Sequence, residues 1–206
     1  IFEAQAPPPR TSPGTTPSET NAAAPAEHWR TWGGPRRDFS VATTNLAATW
    51  PDGGPTRVWS RPLGDGYSGI AEDNGILYTA YRRENDDVVT ALDAGSGKTI
   101  WETAYAAPFK NAYSEGAGPG PYAMPQVIGE RVVMASGNGK LLSLDKRIGK
   151  IVWSHDLYAE YNGTKLQFGY SCHALPYKDT LIVLVGGRGG LMTRLTGSGA
   201  NGGMAF

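Results

Sequence analysis

ALDAGSGKTIW, residues 91–101, returns as SLDKRIGKIVW at residues 143–153, 52 positions later. In both copies Leu-Asp closes a run of alternating apolar residues, three residues follow, Gly-Lys comes next, and a Trp arrives at the third position after the Lys. The pattern predicts a β-hairpin written twice. Leu92 and Leu144 end one strand, and Asp93 and Asp145 bond the backbone two residues on. Gly97 and Gly149 supply the positive φ of a longer loop with a bulge. Lys98 and Lys150 then open the return strand, and Trp101 and Trp153 follow inside it. A buried Trp covers roughly 150–250 Å². At about 25 cal/mol per Å² that is an upper bound on the order of 4–6 kcal/mol each.

The surroundings of the hairpin recur as well. Gly66-Tyr67-Ser68-Gly69 and then Gly75-Ile76-Leu77-Tyr78-Thr79-Ala80 precede the first copy, while Gly120-Pro121-Tyr122-Ala123 and Gly129-Glu130-Arg131-Val132-Val133-Met134 precede the second. A third round starts at Gly169-Tyr170-Ser171-Cys172 and runs on through Thr180-Leu181-Ile182-Val183-Leu184-Val185. Four short strands per round of about 50 residues is the mark of a radial array. The expected fold is all-β: a partial β-propeller of four-stranded antiparallel blades, about two and a half of them present.

Composition fits a turn-rich chain with one ordinary core: 206 residues, 40% hydrophobic, 28 Gly and 15 Pro. Nineteen basic residues balance 19 acidic ones, with no run of like charge. Nucleic acid and anionic lipid are therefore not expected partners. No stretch nears the ~18 apolar residues of a membrane span. Cys172 is the single cysteine, so no internal disulfide forms. Ala4-Gln5-Ala6 has the small-x-small form of a signal-peptidase region, and a chain opening on Ile1 reads as processed or as part of a longer one.

In chain order, residues 1–27 read as a disordered tether rich in Pro, Ala and Thr. Residues 28–57 read as an N-terminal docking segment, because Trp29, Trp32 and Phe39 fall within twelve residues and must be tied down on a folded surface. Residues 58–190 hold the partial propeller, as blades 62–105, 106–157 and an incomplete 158–190, and 191–206 form an off-pattern Gly-rich tail. TRVWSR, residues 56–61, is expected to be an outer strand whose own blade lies elsewhere. Within the first blade a second strand over 76–81, a polar turn over 82–87 and a third strand over 88–92 are expected, with Asp86-Asp87 solvated. Inner strands are expected at 69–72, 122–128 and 170–175, and residues 191–195 offer a third strand for the last blade. Beyond Gly190 no Leu-Asp-x-x-x-Gly-Lys-x-x-Trp follows, so the chain reads as part of a longer protein or as one whose frame changes there. Open sheet edges then remain, with the missing C-terminal blades as their natural partner.

Leu92-Asp93-x-x-x-Gly97-Lys98-x-x-Trp101, its copy Leu144-Asp145-x-x-x-Gly149-Lys150-x-x-Trp153, and Trp29-x-x-Trp32-x-Gly34-Pro35-x-Arg37-Asp38 together resemble the pyrroloquinoline-quinone-like β-propeller repeat proteins. That family includes the quinoprotein alcohol dehydrogenases and the outer-membrane assembly lipoprotein BamB. The resemblance runs over about residues 29–190. For the dehydrogenases it implies a quinone (PQQ) over the central channel, on a Trp platform beside adjacent cysteines, with calcium or a lanthanide held by Glu, Asn and Asp. A single cysteine cannot form that pair, and no metal or base residue carries over. No cofactor is expected, PQQ with Ca2+ being the alternative, in a quinoprotein alcohol or sugar dehydrogenase.

Other motifs resolve structurally. Gly95-Ser96-Gly97-Lys98-Thr99 looks like the end of a phosphate-binding loop, but Leu92 stands where that motif needs Gly, and the segment is a hairpin rather than a helix start. His28, His155 and His173 share no metal-ligand spacing with one another or with Cys172. Cys172 and His173, adjacent on a strand, point to opposite faces. Asn162-Gly163-Thr164 fits a glycosylation acceptor. The long connections between blades are the better functional candidates: Phe109, Lys110, Asn111, Tyr113 and Glu115 in the first, Tyr158, Tyr161, Asn162, Lys165 and Gln167 in the second. Both emerge on one face of the disc, where loops on a rigid scaffold bind protein or small-molecule ligands or pack over the blade tops. The expected role is an extracytoplasmic scaffold, periplasmic or extracellular in a bacterium, without catalysis of its own.

Overall fold

The structure, a computed structural model, describes residues 27–42, 47–110, 118–165, 169–186 and the strand 192–196. Three antiparallel meanders follow one another. The first sheet runs β1 (Ala71–Asp73), β2 (Ile76–Arg83), β3 (Asp86–Asp93) and β4 (Thr99–Ala106) in that spatial order. The second runs β5 (Gln126–Ile128), β6 (Arg131–Ala135), β7 (Lys140–Asp145) and β8 (Ile151–Asp156), followed by a short helix α1 (Leu157–Tyr161). The third holds β9 (Leu175–Tyr177), β10 (Thr180–Leu184) and β11 (Met192–Thr196). These are the blades of a partial propeller.

The two hairpins are superimposable in their bonding. Asp93 N–H donates to Lys98 O and Gly97 N–H to Asp93 O; Asp145 N–H donates to Lys150 O and Gly149 N–H to Asp145 O. Both ladders slip by one residue just before the Leu, between Ala91 and Leu92 and between Ser143 and Leu144. The Asp side chains cap the turns. Asp93 accepts from Ser96 N–H and Oγ, and Asp145 from Arg147 and Ile148 N–H. Those bonds hold both carboxyls below the ordinary carboxylate value.

Each hairpin receives an indole from the unit before it. Trp101 Nε1 donates to Lys146 O at 2.9 Å and Thr103 Oγ1 to Gly149 O at 2.6 Å. One unit earlier, Trp59 Nε1 donates to Ala94 O at 2.8 Å and Arg61 Nη1 to Gly97 O at 2.9 Å. Gly97 and Gly149, at φ 69° and 71°, lie directly beneath the Trp59 and Trp101 rings, where a Cβ would collide. The glycines therefore serve two demands at once, a left-handed turn and a flat seat for an indole. Trp153 Nε1 and Ser143 Oγ, on cross-strand partners, are buried without a hydrogen-bond partner among the described residues. Register puts Leu195-Thr196 opposite Leu181 and Thr180, the positions at which Leu92-Asp93 and Leu144-Asp145 stand in their own sheets.

Several expectations change. TRVWSR is not a strand: outside the named strands the lead-in makes one isolated bridge, Asp65 to Arg82, and its link to the first blade is the indole and guanidinium contact of Trp59 and Arg61. Residues 82–87 are not a solvated polar turn. β2 and β3 continue to Arg83 and Asp86, leaving Glu84-Asn85 as the reversal, with Glu84 at φ 56°. The extension is held because Arg82 and Asp87 form a buried ion pair at 2.9 Å, Arg82 also donating to Ala107 O and Glu84 O. Inner strands are shorter than expected and, in the third blade, start later, at Leu175 rather than Tyr170, because the preceding residues bond to neighbouring units. Met124 N–H donates to His173 Nε2, Tyr67 N–H to Pro121 O and Tyr170 N–H to Gly137 O. β11 supplies the strand expected over 191–195. Residues 1–26 of the tether, residues 187–191 and the tail beyond Thr196 lie outside the described residues.

The core lies between the sheets. Val88, Val89, Val132, Val133, Leu141, Leu142, Leu144, Leu181 and Tyr78 are fully buried or nearly so, with Met134, Leu157 and Tyr170.

Candidate functional site

Three short inner strands leave their inner edges open, and the N-terminal segment fills part of that gap. Trp29 O accepts from Glu72 N–H of β1 and Arg30 O from Val127 N–H of β5. Gln126 Nε2 donates to Thr31 Oγ1 at 2.6 Å, and Trp32 stacks on His173 at 5.5 Å. Residues 29–32 thus touch all three blades, while Trp32 and Phe39 remain 54% and 61% exposed. Burial lowers the His173 pKa, keeping the imidazole neutral so that Nε2 can accept from Met124.

Asp73, 2% exposed, joins this segment to the blades: Arg30 Nε binds Oδ1 at 2.6 Å and Lys146 Nζ binds Oδ2 at 3.1 Å. Burial raises the carboxyl, yet the two cations outweigh it and hold the group below its ordinary value. Its stabilising contribution is therefore present above the unfolded pKa of about 3.9 and is lost as pH falls through the lower folded value. Asp73→Asn is expected to cost about 1–3 kcal/mol at neutral pH. The check is the urea midpoint followed at pH 7 and pH 3, where the gap to wild type should shrink.

On the opposite end of the blades stand the connections. Phe109 lies against Gly137 and Gly169, and Tyr158 against Gly139 and the Tyr170 ring. Both rings pack blade tops. Tyr161 closes on His155, whose Nδ1 meets Glu160 at 2.5 Å; Glu160 also accepts from Asp156 N–H, and Asp156 caps α1 through Tyr158 and Ala159 N–H. Lys110 and Lys165 are exposed, and Asn162, at φ 54°, ends α1. Asn111, Tyr113, Glu115 and Gln167 lie outside the described residues. The structural repeat residues Leu92, Asp93, Gly97, Lys98 and Trp101, with Leu144, Asp145, Gly149, Lys150 and Trp153, sit in or beside the hairpins at the other end.

One feature of this face was not singled out from sequence. Tyr67 and Tyr122, at corresponding places in two rounds, stack at 6.0 Å and 12°, with Tyr67 56% exposed. Tyr67 N–H bonds Pro121 O, and Tyr122 OH donates to Gly118 O. The signal was there in Gly66-Tyr67, Pro121-Tyr122 and Gly169-Tyr170, but a repeated Tyr reads equally well as core, which Tyr170 is.

Among the described residues no three His, Cys, Asp or Glu side chains come together around a point that a metal would occupy. The buried carboxylates Asp73 and Asp87 are engaged by arginine or lysine. Paired in this way, these two carboxylates do not fit the ligand set of a calcium and quinone site. No described helix is long and apolar enough to cross a membrane.

Among curated proteins none matches the chain. Solved structures resemble it at low identity. They include a europium-containing methanol dehydrogenase (17% identity, 63% of this chain and 22% of that one, TM-score 0.44). The quinohemoprotein alcohol dehydrogenase of Comamonas testosteroni is similar at 19% identity, over 60% of this chain and 18% of that one, TM-score 0.40. BamB from Moraxella catarrhalis is similar at 16% identity, over 65% and 47%, TM-score 0.34. The chain spans less than half the length of each. A family model described as outer membrane protein assembly factor BamB matches residues 42–201, well over half of the sequence. With the repeated hairpins, the indole seats and the four-stranded meanders in place, the chain belongs to this BamB family of PQQ-like β-propeller repeat proteins.

Proposed function

We propose that the chain is part of an envelope scaffold, periplasmic or extracellular, which binds a protein partner through the face carrying the connections and performs no reaction itself. The observation that carries the reading is the Tyr67–Tyr122 stack. It sets the exposed Tyr67 ring on a half-buried Tyr122, on backbone fixed by both blades, the low-entropy kind of anchor that dominates protein interfaces. The family description, an assembly factor of outer membrane proteins, supports a role in holding other proteins.

A photo-crosslinking phenylalanine analogue at position 67, expressed in bacteria, is expected to capture one discrete protein, whereas the same group at the exposed Lys98, on the hairpin end, captures none. Equal capture at both positions overturns the reading. So does a bound chromophore with dye-linked alcohol oxidation on adding quinone and calcium.

A further inference from the structure

A second site lies at the hairpin end of the inner strands and does not rest on the scaffold reading. There the N-terminal segment, β5 and β9 line a half-open cavity of about 380 Å³, whose walls include Glu27, His28, Arg30, Thr31, Arg37 and Gln126. Its size falls at the lower end of small-molecule pockets, ~300–1,000 Å³, and is too small for a folded partner or a strand of nucleic acid.

Charge decides what it takes. The carboxylates of Glu27, Glu72 and Asp73 already have partners, and Asp38, next to Arg37, accepts from Ser40 N–H and Oγ. Glu27 accepts from Arg36 at 2.8 Å and from Ala42 N–H at 2.6 Å, and Glu72 faces His28 at 3.2 Å. Asp73 has both Arg30 and Lys146, and Lys146 also reaches Glu130 at 3.3 Å. Arg37 has no ion-pair partner among the described residues, so its guanidinium donors are open to a ligand in the cavity. Arg30 spends its Nε on Asp73, and its side chain is 48% exposed, which leaves its Nη donors for a second acceptor. Thr31 Oγ1 accepts from Gln126, freeing its hydroxyl hydrogen.

The wall that carries Arg37 is also fixed. Arg37 N–H bonds Gly34 O, Phe39 N–H bonds Gly33 O, and Gly34 lies flat on the Trp29 ring, where a Cβ would come within 2.8 Å. Arg37 itself adopts φ 58°, an uncommon conformation for a residue with a side chain. Two guanidinium groups and a hydroxyl donor around a cavity of this size match an oxyanion, which guanidinium recognises by paired N–H···O bonds. We infer that this cavity binds a small molecule bearing a carboxylate or phosphate group, with Arg37 as the charged anchor and Arg30 and Thr31 as further donors.

The test is titration calorimetry on the whole 206-residue chain at fixed ionic strength, with inorganic phosphate in one arm and citrate in the other. Saturable binding is expected in at least one arm, and which one responds separates phosphate from carboxylate recognition. Arg37→Gln is expected to weaken that binding tenfold or more with an unchanged urea midpoint in the absence of ligand, while Arg147→Gln, on an exposed turn away from the cavity, leaves it intact. Failure to saturate with either anion overturns the inference, as does equal weakening by both substitutions or none by Arg37→Gln.

Discussion

Asp87→Ala is expected to destabilise the chain by about 3 kcal/mol at neutral pH, the lower end of what stranding a buried charge costs. Arg82 and Asp87 are 5% and 1% exposed. Removing the carboxylate leaves the guanidinium with only the Ala107 and Glu84 carbonyls, and leaves Ser136 Oγ, now bonded to Asp87 at 2.6 Å, without an acceptor from the neighbouring blade. The double replacement Arg82→Met with Asp87→Leu is expected to cost less than the single one, since neither charge then remains buried. Urea denaturation followed by Trp fluorescence measures both, and a double variant less stable than Asp87→Ala would contradict the assignment.

The same carboxyl gives a pH signature. Burial raises Asp87 above the ordinary carboxylate value, ahead of the opposing pull of Ser136 and Arg82. Its folded form thus holds the proton more tightly than its unfolded form. The stability this confers is present below the unfolded pKa and is lost as pH rises through the raised folded value. A declining segment of stability above about pH 4, present in the wild type and absent in Asp87→Asn, is the expected profile.

Gly149→Ala should cost about 2–4 kcal/mol, combining a left-handed backbone with overpacking. Its Cβ would enter the Trp101 ring and crowd Thr103 Oγ1 at 2.9 Å. Gly95→Ala in the equivalent first hairpin is the control, because its Cβ would meet only Asp93 Oδ1 at 3.6 Å and its φ is not positive. Trp101→Ala is expected to cost about 3–5 kcal/mol. Trp101→Phe keeps most of the buried surface and strands the Lys146 carbonyl, so its smaller loss isolates the hydrogen bond. A Gly149→Ala protein with wild-type midpoint would remove the indole seat as the joint between blades.

Sequence carried the fold wherever one residue type answers one geometric demand. Gly97, Gly149, Asp93 and Asp145 were legible because positive φ and turn capping exclude most alternatives. Trp101 and Trp153 were legible as packing groups, though not the direction in which each indole docks. Arg82 and Asp87 misled because charged residues beside Glu84-Asn85 look like a solvated turn; only the partner blade, through Ser136, makes their burial tolerable. The candidate face was read from connections, but Phe109 and Tyr158 turn inward over glycines distant in sequence. Tyr67 and Tyr122 depend on two lead-ins meeting, which no local pattern encodes. The cavity at Arg37 escaped for the same reason: its walls come from segments some 90 to 140 positions apart.

The indole joints also give the chain a temporal direction. Trp101 finds its acceptor 45 residues later and Trp59 its own 35 residues later. At a translation rate of about 5–20 residues per second, the Trp101 acceptor is synthesised roughly 2–9 s after the indole itself. For that interval a nascent blade offers a bare aromatic wedge to the cell, and it is the ribosome's next hairpin, rather than anything within the blade, that puts the wedge away.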